Sequence, residues 1–185
     1  MRYLIILLLA GLMSSAAMAL GVRTSLAEEA GIQGTNDRFV VTSLGIDAPV
    51  NLRIVGPDGS MGDPAGKDDV VRYDFSSIAG LGGTPGLGGT VVVAGHVDYR
   101  PNLLAVFWPL RSAEVGTRID YYRGDGAVVS YVVDWIAKVA GDQDVAEYFV
   151  SSSPESMVLI SCEGTFDAST RHYDSRTFVH AVRLS

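Results

Sequence analysis

Met157-Val-Leu-Ile-Ser-Cys-Glu-Gly164 ends an apolar run on a cysteine, and Arg176-Thr-Phe-Val-His-Ala-Val182 opens a second run on an arginine. Met157 to Ile160 is short and apolar, and Gly164 follows closely, which is the pattern of a buried strand giving way to a loop. Cys162, the only cysteine of the chain, is expected at that strand's exit. The polar stretch Glu163 to Ser175 reads as a loop that delivers Arg176 to the head of a second strand, so that Cys162 and Arg176 meet at one end of two strands. Upstream, Thr90-Val-Val-Val-Ala-Gly-His96 repeats the arrangement, with a titratable side chain at the exit of a β-branched run. One cysteine, one histidine and one arginine at strand ends are what a cysteine nucleophile needs.

Working outward, short strands dominate from Arg38 onward: Phe39 to Leu44, Ala48 to Asn51, Thr90 to Ala94, Thr117 to Tyr122, Val128 to Trp135, Met157 to Ser161 and Thr177 to Arg183. Asp125-Gly126 is a hairpin signal between two of them. Only Leu103 to Phe107 and Val145 to Phe149 have room for a turn or two of helix. The chain therefore reads as an all-β sandwich or barrel, with no internal repeat.

Of the 185 residues, 48% are hydrophobic and 19% charged, enough apolar surface for one folded domain and too much for a disordered chain. Twenty-one acidic residues outweigh 14 Lys and Arg, for a formal net charge of -7. That balance lacks the basic face that phosphate binding requires, so no nucleic-acid partner is expected. A lone cysteine also excludes an internal disulfide.

At the N-terminus Arg2 precedes the uncharged apolar stretch Tyr3 to Leu20. Residues 1–20 are either a signal peptide, with Ser14 to Ala19 supplying the small residues of a cleavage site, or a membrane anchor. Residues 21–37 are small, polar and weakly patterned, and read as a linker. Residues 38–185 form the expected domain.

The chain resembles the sortases, cysteine transpeptidases of bacterial cell surfaces. The family's Thr-Leu-x-Thr-Cys strand is similar to Val158-Leu-Ile-Ser-Cys162, with Val158 and Ser161 in place of the two threonines. Its Gly-His pair resembles Gly95-His96, and its arginine before a valine-rich strand resembles Arg176. Asp58-Gly-Ser-Met61, Pro64 and Tyr73 resemble the region ahead of the histidine in class E and class F sortases. The likeness covers Arg38 to the C-terminus. It implies a closed β-barrel of about eight strands with one or two short helices, and His96, Cys162 and Arg176 as catalytic residues. It also implies transfer of a Leu-Pro-x-Thr-Gly-like sorting signal, through a thioester, to an amine on the cell wall or a pilin. The expected partners are surface proteins that carry a C-terminal sorting signal. The family favours an anchored, extracytoplasmic protein over a secreted one, with the membrane engaged through the N-terminal segment.

Competing readings of single features are weaker. Gly80-Leu-Gly-Gly-Thr-Pro-Gly-Leu-Gly-Gly89 lacks the Gly-Lys-Ser/Thr ending of a phosphate-binding loop and precedes a strand where such a loop opens a helix, so it reads as a surface loop. His96 and Asp98 share one side of an extended chain, and Cys162, His172 or His180 could complete a zinc site. His180, however, lies roughly 13 Å along the strand from Arg176. Asp63, Asp68 and Asp69 lack the spacing of a calcium loop. No metal or cofactor is expected, and activity should survive dialysis against a chelator. Asp98, Glu163 and Asp167 read as solvated acids around the site, Arg171 and Arg183 as surface charges, and His172 as a solvated loop residue. A cysteine peptidase that transfers to water and a non-catalytic surface-binding β domain remain as alternatives.

Overall fold

The computed structural model describes residues 32–100, 103–167, 169 and 172–185. The apolar stretch of residues 1–20, most of the span read as a linker, Arg171 and the side chain of His172 lie outside them. Eleven strands follow in order: β1 (Ile32–Val41), β2 (Ile46–Ile54), β3 (Val70–Asp74), β4 (Gly83–Thr84), β5 (Gly88–Gly95), β6 (Asp98–Arg100), β7 (Leu103–Leu104), β8 (Arg118–Tyr122), β9 (Val128–Ala140), β10 (Ser156–Asp167) and β11 (His172–Arg183). Eight of them pair in the ring β10-β11-β9-β8-β1-β2-β3-β5, and β5 closes it by pairing with β10. Strand β4 extends β5, and β6 with β7 forms a separate small hairpin. Closure leaves the barrel itself without a free edge.

Two pairs in the ring are parallel, β2 with β3 and β5 with β10. The β5–β10 pair is buried on both faces, which is why each strand reads as a continuous apolar run. Met157, Leu159, Val91 and Val93 point into the barrel among Phe39, Phe107, Ile119, Tyr121 and Val179. Val158, Val92 and Ala94 point outward into a second cluster with Val71, Tyr73, Phe75, Phe149 and Phe178. Complete burial of each such side chain is worth about 1.5 to 3 kcal/mol, so this pair is a rigid platform.

The short helices are 3₁₀ turns at Thr42–Leu44, Trp108–Ser112 and Ala146–Phe149, and no α-helix occurs among the described residues. Phe39 to Leu44 is therefore strand only to Val41, and Leu103 to Phe107 begins as β7. Strand β1 starts at Ile32, inside the span read as a linker. Strand β3 was missed from sequence. It is only five residues long and gains its place by pairing with β2 and β5.

The polar stretch after Cys162 is strand as far as Asp167 and again from His172. Strand β10 continues to Asp167 and pairs with β11 from His172, interrupted only by a register shift between Glu163 and Phe166. Gly164 makes that shift possible. Its φ is 88°, and a Cβ there would fall 1.9 Å from Asp174 Oδ1, so only glycine fits. Asp174 Oδ1 accepts from the Thr165 amide at 3.1 Å.

At the opposite end of the platform sits Glu155, whose side chain is 3% exposed. Its carboxylate accepts from the amides of Gly86 and Gly88, at 2.9 Å each, from the Tyr131 hydroxyl, and from Arg183 Nη1 at 3.2 Å. The glycine-rich segment thus does hold an anion, but the anion is the protein's own. Arg183, read as a surface charge, is exposed and is also the ion-pair partner of this buried acid.

Candidate active site

The parallel register of β10 with β5 ends at Ile160 opposite Ala94. Two residues further on stand Cys162, which alternation along β10 places on the outer face that carries Ile160, and His96, which lies just past the end of β5. On the other side of β10, Cys162 is directly opposite Arg176 in the antiparallel pairing with β11. Side chains opposite one another in such a pair share a face, with Cβ atoms about 4.5 to 5.5 Å apart. The cysteine therefore stands opposite the arginine on β11, with the histidine just past the end of β5. Cys162 and Arg176 meet within a hairpin, not at two strand ends.

Local chemistry supports each position. The Ser161 hydroxyl donates to the Gly95 carbonyl at 3.3 Å, tying β10 to β5 just below the site. This serine stands where the family motif has threonine. Val158, in place of the other threonine, is fully buried and apolar-packed. Gly95 admits the ring of Phe107, which a Cβ would meet at 2.7 Å. The His96 carbonyl then accepts from the Phe107 amide at 2.9 Å, and the imidazole Nε2 lies 2.9 Å from the Pro64 carbonyl.

Cys162 and His96 are half-buried and Arg176 is exposed. Burial pushes the Cys162 thiol up; Arg176 opposes this, while Asp63 and Asp98 add to it. At neutral pH the group is overwhelmingly a thiol, less ionised than an ordinary cysteine. Among the described residues none forms an ion pair with Arg176, so its guanidinium is available to a ligand.

The surrounding acids are engaged. Asp98 accepts from the Tyr173 hydroxyl, and burial together with that bond pushes the phenol up to about 12. Glu163 lies 3.8 Å from Arg111 Nε and 3.4 Å from Lys138 Nζ. Burial works against its charge, but the Gly164 amide, Arg111 and Lys138 outweigh it and hold the carboxyl below its usual range. His180 bonds Asp134 through Nδ1 and stacks on Trp135 at 4.9 Å, away from the cysteine. No three His, Cys, Asp or Glu residues among those described are placed to share a cation. Sequence reasoning missed the Pro64 carbonyl and Tyr173 as partners of the site, because both contacts join segments far apart in the chain.

A closed eight-stranded barrel, with Cys162 opposite Arg176 and His96 just past the end of β5, is the frame of the candidate site. The sortase-domain family model matches residues 39–184, and the chain belongs to the sortase family. Nothing among curated proteins matches it. Similar solved structures include the sortase D5 transpeptidase of Clostridium perfringens, at 16% identity, 82% coverage of this chain, 79% of that one and a TM-score of 0.59. Sortase A from Corynebacterium diphtheriae is 16% identical over 83% of this chain and 62% of its own, with a TM-score of 0.59. Sortase C-3 from Streptococcus pneumoniae is 21% identical over 83% and 64%, with a TM-score of 0.57. The chain spans less than two thirds of the last two. At these identities the likeness is one of fold. No helix among the described residues is long and apolar enough to cross a membrane.

Proposed function

We propose that this chain is a cysteine transpeptidase that cleaves a Leu-Pro-x-Thr-Gly-like sorting signal and transfers the acyl group to a cell-surface amine. The observation that carries the reading is the register that sets Cys162 directly opposite Arg176, with His96 two residues beyond the last paired residue of β5. Cys162 as thiolate attacks the carbonyl carbon between Thr and Gly, Arg176 stabilises the oxyanion or holds the substrate backbone, and His96 as imidazolium protonates the leaving amine. The thioester then passes to the incoming amine. With ordinary pKa values only on the order of one per cent of molecules would hold thiolate and imidazolium together near neutrality. Burial of Cys162 lowers that share, so turnover should be slow, and raising the pH forms thiolate only at the expense of the imidazolium. The segment Asp58 to Met61 with Pro64 and Tyr73 supports class E or F, and residues 1–20 support an anchored, extracytoplasmic enzyme.

The test is mass spectrometry of the purified full chain incubated with a panel of sorting-signal peptides, with and without small amines. An acyl-enzyme on Cys162 that resolves into an amine-transfer product supports the reading. Hydrolysis unaffected by amines makes the protein a cysteine peptidase, and an unacylated, alkylation-resistant Cys162 makes it a binding domain.

A further inference from the structure

The group that holds the His96 ring is a backbone carbonyl. His96 Nε2 lies 2.9 Å from the oxygen of Pro64, and a carbonyl can only accept, so this contact requires the hydrogen to sit on Nε2. Nδ1 is then the nitrogen left to exchange a proton. Pro64 belongs to the connection between β2 and β3, which has no regular structure of its own from Val55 to Asp69. Such a segment would not by itself keep a carbonyl in place. Two side chains pin it just upstream. Tyr73 Oη donates to the Gly62 carbonyl at 2.6 Å, and Arg53 donates to the Asp63 carbonyl. A Cβ on Gly62 would fall 2.2 Å from the Arg53 guanidinium, so that group lies flat against the backbone. Downstream, Asp69 accepts from the Ala65 amide at 2.6 Å and from Asn51 Nδ2 at 2.5 Å. Tyr73 is the rigid member, 3% exposed within the outer apolar cluster.

We propose that Tyr73, assisted by Arg53 and Asp69, is a positioning residue that holds the Pro64 carbonyl on His96 Nε2 and so makes Nδ1 the proton-transfer atom of the reaction. This rests on the triad reading above. In the first half-reaction the Cys162 sulfur forms a bond to the carbonyl carbon, the carbon–nitrogen bond breaks, and the Nδ1 proton passes to the departing amine. His96 is left neutral with hydrogen on Nε2, the tautomer that the Pro64 carbonyl holds. In the second half-reaction the acceptor amine attacks the thioester, the sulfur leaves as thiolate, and Nδ1 takes up the amine proton.

The full chain, labelled with ¹⁵N in histidine, reports the tautomer through two-bond proton–nitrogen correlations at alkaline pH, with His96 assigned by its loss in His96→Gln. The expected signature is hydrogen on Nε2 and a bare Nδ1. Tyr73→Phe keeps the ring but frees the segment. It should mix the two tautomers of His96, leave His180 unchanged, and lower kcat about tenfold with KM unaltered, as for the loss of a residue that orients a functional histidine. Hydrogen on Nδ1 in a chain that still forms acyl-enzyme overturns this proposal alone. An Nε2–H signature in a chain that never forms acyl-enzyme overturns both the proton path and the triad reading beneath it. A folded Tyr73→Phe chain that keeps a pure Nε2–H signal removes Tyr73 from the role. Should that variant not fold, Arg53→Ala loosens the same segment from its exposed side and must mix the tautomers for the proposal to stand.

Discussion

The two ends of the β5–β10 platform carry the same kind of material, a titratable group beside a cationic one, and treat it in opposite ways. At the start of β10, Glu155 is buried with four donors on its carboxylate. The site is satisfied, and there is nothing left over for a ligand. Beyond Ile160, Cys162 is half-buried, and burial raises its thiol, opposed by an exposed arginine and reinforced by Asp63 and Asp98. Buried polar groups with their partners in place stabilise a fold. A cleft group whose ionisation is shifted by burial and by neighbouring charges is a candidate for chemistry. The contrast assigns stability to one end and, on the proposed reading, reactivity to the other.

The strongest way to break that division is Cys162→Ala, which should abolish acyl-enzyme formation while leaving Tm nearly unchanged. A folded variant with undiminished turnover would remove the nucleophile from the reading. Next in size is Arg176→Lys. Lysine retains the charge but not the paired donors of a guanidinium, so kcat/KM should fall about 10²- to 10³-fold, roughly 3 to 4 kcal/mol, almost as far as for Arg176→Ala. Retained activity would leave Arg176 only a diffuse positive field. Arg183→Ala is the control from the other end, expected to lose less than about tenfold in activity per folded molecule but to cost stability.

Glu155→Ala strands two amides, a phenol and a guanidinium, and should destabilise the fold by about 3 kcal/mol, on the order of a hundredfold in the folding equilibrium. Denaturant unfolding measures it, and a loss of activity that exceeds the loss of folded protein would erase the distinction between the ends. The smallest effect sharpens the comparison through pH. Asp98 raises the Cys162 thiol, so Asp98→Asn should bring thiolate in at lower pH and speed alkylation at neutrality a few-fold. Arg176→Ala should do the reverse, moving the alkylation profile toward higher pH. Shifts of the same sign would show that charge does not set the reactivity of this thiol.

Much of the site was legible in advance because it is carried by local signals. The apolar runs Thr90 to Ala94 and Met157 to Ser161 were read as strands and are strands, lengthened at their ends where pairing continues past the apolar residues. The hairpin from Glu163 to Ser175 was not legible, since its residues are polar and its ladder is stabilised by the partner strand and by the Gly164 shift. Arg183 gave no sign of its role because its partner, Glu155, lies 28 residues away.

The sequence by itself determined that the chain is all-β, that its single cysteine follows a buried strand, and which histidine and arginine stand in comparable places, since periodicity and residue type act over a few residues. Only the tertiary structure decided the barrel's closure, the register that sets Cys162 opposite Arg176, the Pro64 carbonyl on His96, and the burial of Glu155. Each of these depends on contacts between segments distant in the chain, whose geometry no local pattern encodes.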